Sequence, residues 1–170
     1  FAGGWSQAQG PRTQNMQYIN IASAGNSTGF GNLGVPAGGA YYQGGQITNG
    51  TRALFAGIDY DADVTNQRRR IDYVTTATTG SSSDFGDLTQ PGRYALGGVS
   101  NKTRGLMGGG YYPNSQSRID YRTIANTGTC QDFGDLTVAR HYVAACQDNT
   151  RGVWGMGYRN SPLPAGNEMD

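Results

Sequence analysis

Apolar and polar residues alternate over short runs along this chain. The clearest run is Ile71-Asp-Tyr-Val-Thr-Thr, in which branched or aromatic residues alternate with polar ones. That period of two is the mark of a half-buried strand. Ile119-Asp-Tyr-Arg-Thr-Ile repeats the pattern, and Met16-Gln-Tyr-Ile-Asn-Ile is an earlier version of it. Gly, Asn, Ser or Pro bounds each run, as turn chemistry requires.

The runs belong to a larger period. Three anchors recur: the tyrosine of each run (Tyr18, Tyr73, Tyr121); Phe-Gly-Asp-Leu at Phe85 and Phe133, with Phe-Gly-Asn-Leu at Phe30; and Thr-Arg at Thr51, Thr103 and Thr150. Tyrosine to phenylalanine is 12 residues in all three copies, whereas Phe-to-Phe is 55 and then 48. Constant spacing suits paired strands, and variable spacing suits loops, which absorb insertions cheaply. The pattern predicts about three and a half copies of one unit: residues 1–53, 54–105, 106–152 and a partial 153–170, in a single repeat domain. Within a unit the expected order is strand one at Leu54–Gly57 (Leu106–Gly109, Val153–Gly157), then the Ile-Asp-Tyr run. Strand three follows around Asp84–Leu88, and strand four at Tyr94–Val99 or Tyr142–Cys146.

Composition agrees with an all-β chain. Of 170 residues 28 are glycine, and 11 tyrosines, 5 phenylalanines and 2 tryptophans argue for a folded core. Lys102 is the only lysine and Glu168 the only glutamate, so the usual residues of solvated helix faces are almost missing. A net charge of +1 removes the electrostatic case for nucleic acid or acidic membrane. No apolar run approaches the length of a membrane span.

Gly-Gly after an apolar strand, an aromatic strand, an aromatic before Leu and then arginine resembles a kelch-type repeat, whose period is near 50. Arg104-Gly-Leu-Met-Gly-Gly-Gly, Ile119-Asp-Tyr and Asp132-Phe-Gly-Asp-Leu-Thr-Val-Ala-Arg are similar to repeats in marine bacteriophage virion and tail-fibre-type proteins. The kelch tryptophan after the aromatic strand is replaced by Phe30, Phe85 and Phe133. The resemblance implies an all-β, kelch-like β-propeller of about three four-stranded blades plus a partial fourth. It further implies a structural or adhesive module of a phage virion, as tail fibre or capsid decoration, in the virion or extracellular. Its implied partners are other copies of itself, other virion proteins, or a host-surface glycan or protein. The alternative is a cellular, lectin-like propeller binding glycan or protein, and a solenoid of the same period also fits. Three blades do not close a ring. Either the chain is part of a longer one or copies combine, and the absent initiator methionine favours the former.

Candidate chemistry is sparse. Asp87 precedes Arg93 and Asp135 precedes Arg140, while the first copy has Asn32 and Tyr41 at those places. Loss of acid and base together predicts two structural ion pairs, Asp87–Arg93 and Asp135–Arg140. Arg52, Arg104 and Arg151 recur beside strand one, either as an arginine ring for anions or as anchors for loop carbonyls. Asp59, Asp61 and Asp63 alternate in a lengthened loop closed by Arg68–Arg70 and are the candidate calcium ligands. The glycine and terminal acid of a full calcium loop are missing, so a solvated loop is the competing reading. Tyr41-Tyr42 and Tyr111-Tyr112 could stack on sugar rings or pack in a core. His141 is the only histidine, and neither a Ser-His-Asp set nor a metal-spaced His/Cys cluster can be recognised. The expectation is a non-enzyme without a cofactor. Cys130 and Cys146 have Ser82 and Val99 as repeat equivalents and read as free thiols.

Overall fold

The computed structural model describes residues 2, 14–34, 40–41, 44–59, 69–90 and 92–160, with the backbone alone at 40, 41, 58 and 59. Asp61, Asp63, Arg68 and Tyr42 lie outside the described residues. Fourteen strands follow one another: β1 (Asn15–Tyr18), β2 (Thr28–Asn32), β3 (Ala40–Tyr41), β4 (Gln46–Thr48), β5 (Arg52–Ala56), β6 (Ile58–Asp59) and β7 (Arg70–Thr75). Then come β8 (Ser83–Asp87), β9 (Gly97–Ser100), β10 (Arg104–Gly108), β11 (Gln116–Thr123), β12 (Gln131–Arg140), β13 (Ala144–Gln147) and β14 (Gly152–Gly155).

All pairings are antiparallel. Two four-stranded sheets, β4-β5-β7-β8 and β9-β10-β11-β12, stand between two-stranded ones, β1-β2 and β13-β14, and β3 pairs with β6. The repeat is therefore real, but its phase differs from the expected one. The strand ending at Val99 does not close the unit that contains Phe85; it opens the next one by pairing with β10.

The turn chemistry explains the shift. Thr-Arg leads into strand one as expected, but it does so as the last part of a tight hairpin turn from the strand before it. Asn49 Oδ1 accepts the backbone N–H groups of Thr51 and Arg52 at 3.0 and 2.8 Å. Asn101 does the same for Thr103 and Arg104, and Asp148 for Thr150 and Arg151. An Asn or Asp side chain that satisfies two turn donors fixes a hairpin at that point in every copy. The two Asp148 bonds also hold its carboxyl below the usual aspartate value.

The sheets remain separate and open; none curls or closes on itself. The kelch-like β-propeller is thus corrected to a row of open antiparallel sheets. What joins neighbours is a local contact, in which the last strand of one sheet bonds to the loop between the third and fourth strands of the next. Gly80 N donates to Phe30 O at 2.7 Å and Ser82 N to Asn32 O at 2.9 Å. One repeat later, Gly128 N donates to Phe85 O at 2.6 Å and Cys130 N to Asp87 O at 2.7 Å.

Apolar residues seal these contacts. Ile47, Leu54, Phe85, Met107 and Ile124 share one core that spans the two large sheets. Val99, Ile119, Leu136 and Trp154 form another between β9–β12 and β13-β14. The constant 12-residue spacing is explained by ring contact: Tyr18–Phe30, Tyr73–Phe85 and Tyr121–Phe133 meet edge to face at 6.0, 5.9 and 5.8 Å.

Each large sheet also buries an aspartate on its Ile-Asp-Tyr strand, because both faces of that strand are covered. Asp72 and Asp120 are fully buried. Arg70 holds Asp72 at 2.8 Å. Asp120 takes Arg93 at 2.5 Å and a hydroxyl hydrogen bond from Thr89. Arg93 is itself 1% exposed and also donates to the carbonyls of Gly109 and Arg118. Burial lowers its pKa, and the Asp120 charge opposes that.

The expected Asp87–Arg93 pair is therefore corrected. After β8 the chain carries Arg93 into the next sheet, while Asp87 stays near the surface, 3.9 Å from Arg69. Likewise Asp135 accepts the Ser117 hydroxyl at 2.8 Å, and buried Arg140 donates to Met156 O at 3.0 Å and to Val138 O. Arg140 on Met156 repeats Arg93 on Gly109, one unit further along.

The two cysteines sit in opposite environments. Cys130 is buried, and desolvation, with Asp120 adding to it, pushes its thiol up to about 12. Cys146 is exposed. Iodoacetamide at about pH 8 is expected to alkylate Cys146 in the native protein and to reach Cys130 only after unfolding, as peptide mapping would read. Equal native labelling of both would contradict this packing. Among the described residues no helix is long and apolar enough to cross a membrane.

Candidate functional site

The backbone bonds of the inter-sheet contact are made twice, but an aliphatic side chain fills the contact only between the two large sheets; at the β2 contact exposed Thr76 stands in the place of Ile124. In the complete contact between the large sheets, Ile124 is fully buried in the core that holds Ile47, Leu54 and Phe85. Burying such a side chain is worth about 1.5–3 kcal/mol. Above it, Arg52 Nη1 donates to Ala125 O at 2.7 Å and to Ile124 O at 3.3 Å, while the guanidinium covers the Tyr73 ring at 4.8 Å. Of the two readings open for the repeated arginines, Arg52 fits the loop-carbonyl anchor.

Close backbone approach completes the contact, and it requires the glycine of Phe-Gly-Asp. Gly86 has φ +137°, and a Cβ there would stand 2.3 Å from Gly128 O. Gly31 has φ +156° and would place a Cβ 2.1 Å from Gly80 O.

On the last large sheet the receiving half is present. Val99, Arg104, Leu106 and Phe133 occupy the places of Ile47, Arg52, Leu54 and Phe85 in the sheet register. They line a cleft of about 340 Å³ that Trp154 and the Asp148–Arg151 turn close on the other side. Phe133 is 52% exposed where Phe85 is 1%. Gly134 has φ +145°, yet a Cβ there would meet nothing within 4 Å. Arg104 lies over the Tyr121 ring at 5.6 Å, as Arg52 lies over Tyr73. The cleft is thus apolar at its floor, cationic at its rim and bordered by a strand edge.

A second cluster lies at the other end of these strands. Tyr94, Tyr111, His141 and Tyr158 form a row with successive ring centroids 5.6, 4.8 and 5.7 Å apart. Ser115 Oγ lies 2.9 Å from His141 Nδ1 and contacts Asn160 Oδ1 at 3.2 Å. Burial lowers the His141 pKa. Tyr111 belongs to this packed row, where it touches Tyr94 and His141.

Among the described residues no three His, Cys, Asp or Glu side chains gather as a metal site. Asp59 lies on β6; its proposed calcium partners Asp61 and Asp63 fall outside the described residues. The chain matches no protein-family model and no curated protein. With open sheets and no such match, the bacteriophage virion, tail-fibre and capsid-decoration reading is corrected, as is the lectin-like propeller.

Sequence reasoning missed the cleft, because it weighed each shared residue for its own chemistry. The available signal was a duplicated dipeptide: Ile21-Ala22 and Ile124-Ala125 follow their tyrosines by the same number of residues.

Proposed function

We propose that this chain is a non-catalytic assembly module that captures a polypeptide loop in the cleft of Arg104, Leu106 and Phe133. One observation carries this reading: the same surface on the preceding sheet is filled by the Ile124–Cys130 loop, whereas here no described residue fills it. A ligand for the cleft needs an aliphatic side chain for the floor and two adjacent carbonyls for Arg104. It also needs backbone N–H groups for the edge of β12. A peptide loop supplies all three.

The test is fluorescence anisotropy with a labelled peptide of residues 122–130, Cys130 being replaced by Ser. Binding to the intact chain is expected, with at least a tenfold loss in an Arg104→Met, Phe133→Ser variant, since two main contacts go. Failure of the peptide to bind, or equal binding by the variant, would overturn the reading.

A further inference from the structure

The half-contact at Phe133 has its counterpart at the other end of the chain. The loop between β1 and β2 is the one loop of its kind with no preceding sheet among the described residues. It carries the docking residues in register: seven residues after each tyrosine comes Gly25, Gly80 or Gly128, and two further on Ser27, Ser82 or Cys130. Gly80 and Ser82, like Gly128 and Cys130, donate to the preceding strand. Ile21 occupies the place of Ile124, and it is 98% exposed where Ile124 is 0%.

Resting on the reading of the cleft given above, we propose that its occupant is the Ile21–Ser27 loop of a second copy of this chain. Copies then join head to tail. Ile21 enters the cleft beside Leu106 and Phe133, and Arg104 donates to the Ile21 and Ala22 carbonyls as Arg52 does to Ile124 and Ala125. Gly25 N and Ser27 N donate to Phe133 O and Asp135 O, repeating the bonds of Gly128 and Cys130 to Phe85 and Asp87. The contact uses different surfaces on the two partners, so it generates closed oligomers or open-ended chains, not an isologous dimer. The exposed large apolar side chains fall in two stretches of the chain: Tyr18, Ile19 and Ile21 on and just after β1, and Phe133, Tyr142, Met156 and Tyr158 from β12 onward.

Sedimentation velocity on the intact chain and two variants tests the proposal. Ile21→Asp removes the loop's anchor, and Phe133→Asp spoils the cleft; both side chains are exposed in the single chain, so the fold tolerates the changes. The intact chain is expected to grow in mass with concentration, and each variant alone to remain a monomer. An equimolar mixture should give a dimer and stop there, because the Ile21→Asp chain keeps a sound cleft and the Phe133→Asp chain a sound loop. A monomeric intact chain, or undiminished association of the Ile21→Asp variant, would overturn it. If the chain stays monomeric while the 122–130 peptide still binds, the cleft reading stands and the second copy is the wrong occupant.

Discussion

Replacing Arg93 by Met is expected to cost about 3–5 kcal/mol of stability, the usual penalty for leaving one partner of a buried ion pair behind. For a chain of this length that is a fall in Tm of roughly 6–20 °C. The loss should be large because Asp120 is fully buried and Arg93 joins it to three backbone carbonyls of the same sheet. Removing both charges, as Arg93→Met with Asp120→Leu, should recover part of the loss, since no uncompensated carboxylate then remains. Asp87→Ala provides the contrast. Asp87 stands 3.9 Å from Arg69, with both side chains about a third exposed, and such a pair contributes about 0–1 kcal/mol. Thermal unfolding followed by circular dichroism reads all three. Losses of equal size in Asp87→Ala and Arg93→Met would restore the Asp87–Arg93 pairing and contradict the geometry described above.

The second large effect separates two glycines in the same tripeptide. Gly86→Ala is expected to destabilise by about 2–4 kcal/mol, since its Cβ would lie 2.3 Å from a backbone oxygen that no rotamer change can move. Gly134→Ala occupies open space and should cost only the backbone strain of its positive φ, about 1–2 kcal/mol. Urea unfolding of the two variants, under conditions where the protein is monomeric, gives the comparison. Equal losses would mean that the Phe85–Gly128 contact does not hold the sheets together.

Part of this arrangement was legible in the sequence. Tyrosine and phenylalanine 12 residues apart are ring partners across one hairpin, so ladder geometry made their spacing constant. The Ile-Asp-Tyr runs are strands, as the alternation required. The fold class was right at the level of all-β and wrong at the level of closure. Sequence period counts strands per unit, but it does not say whether units close a ring or stop as an open row.

The errors have physical causes. Thr-Arg does lead into strand one, but the sheet phase depends on its partner in the turn, Asn49, Asn101 or Asp148, which the repeat anchors leave out. Once that side chain is seen to cap the turn donors, the hairpin and the sheet phase follow. The joint loss of acid and base in the first copy suggests an Asp87–Arg93 pair, whereas Arg93 belongs to the connection into the next sheet and meets Asp120, 27 residues on. The aspartate of Ile-Asp-Tyr read as the solvent face of a strand. It is buried because β7 and β11 are covered on both faces. The cleft could not be found from one residue at a time, since each of its parts is an ordinary core residue in the preceding unit. Only the comparison of Phe85 with Phe133, and of Ile124 with Ile21, shows the same residue types in opposite environments.

The central claim is that the open face of the last sheet is the receiving half of a loop contact that the chain already makes internally. Amide chemical-shift mapping on the isotope-labelled chain, titrated with the 122–130 peptide, tests it most directly. Shifts are predicted for Arg104, Leu106, Phe133 and Gly134, with no change at Arg52, Leu54, Phe85 and Gly86, whose cleft is already filled. Shifts centred on the filled contact, or spread without regard to either, would contradict it.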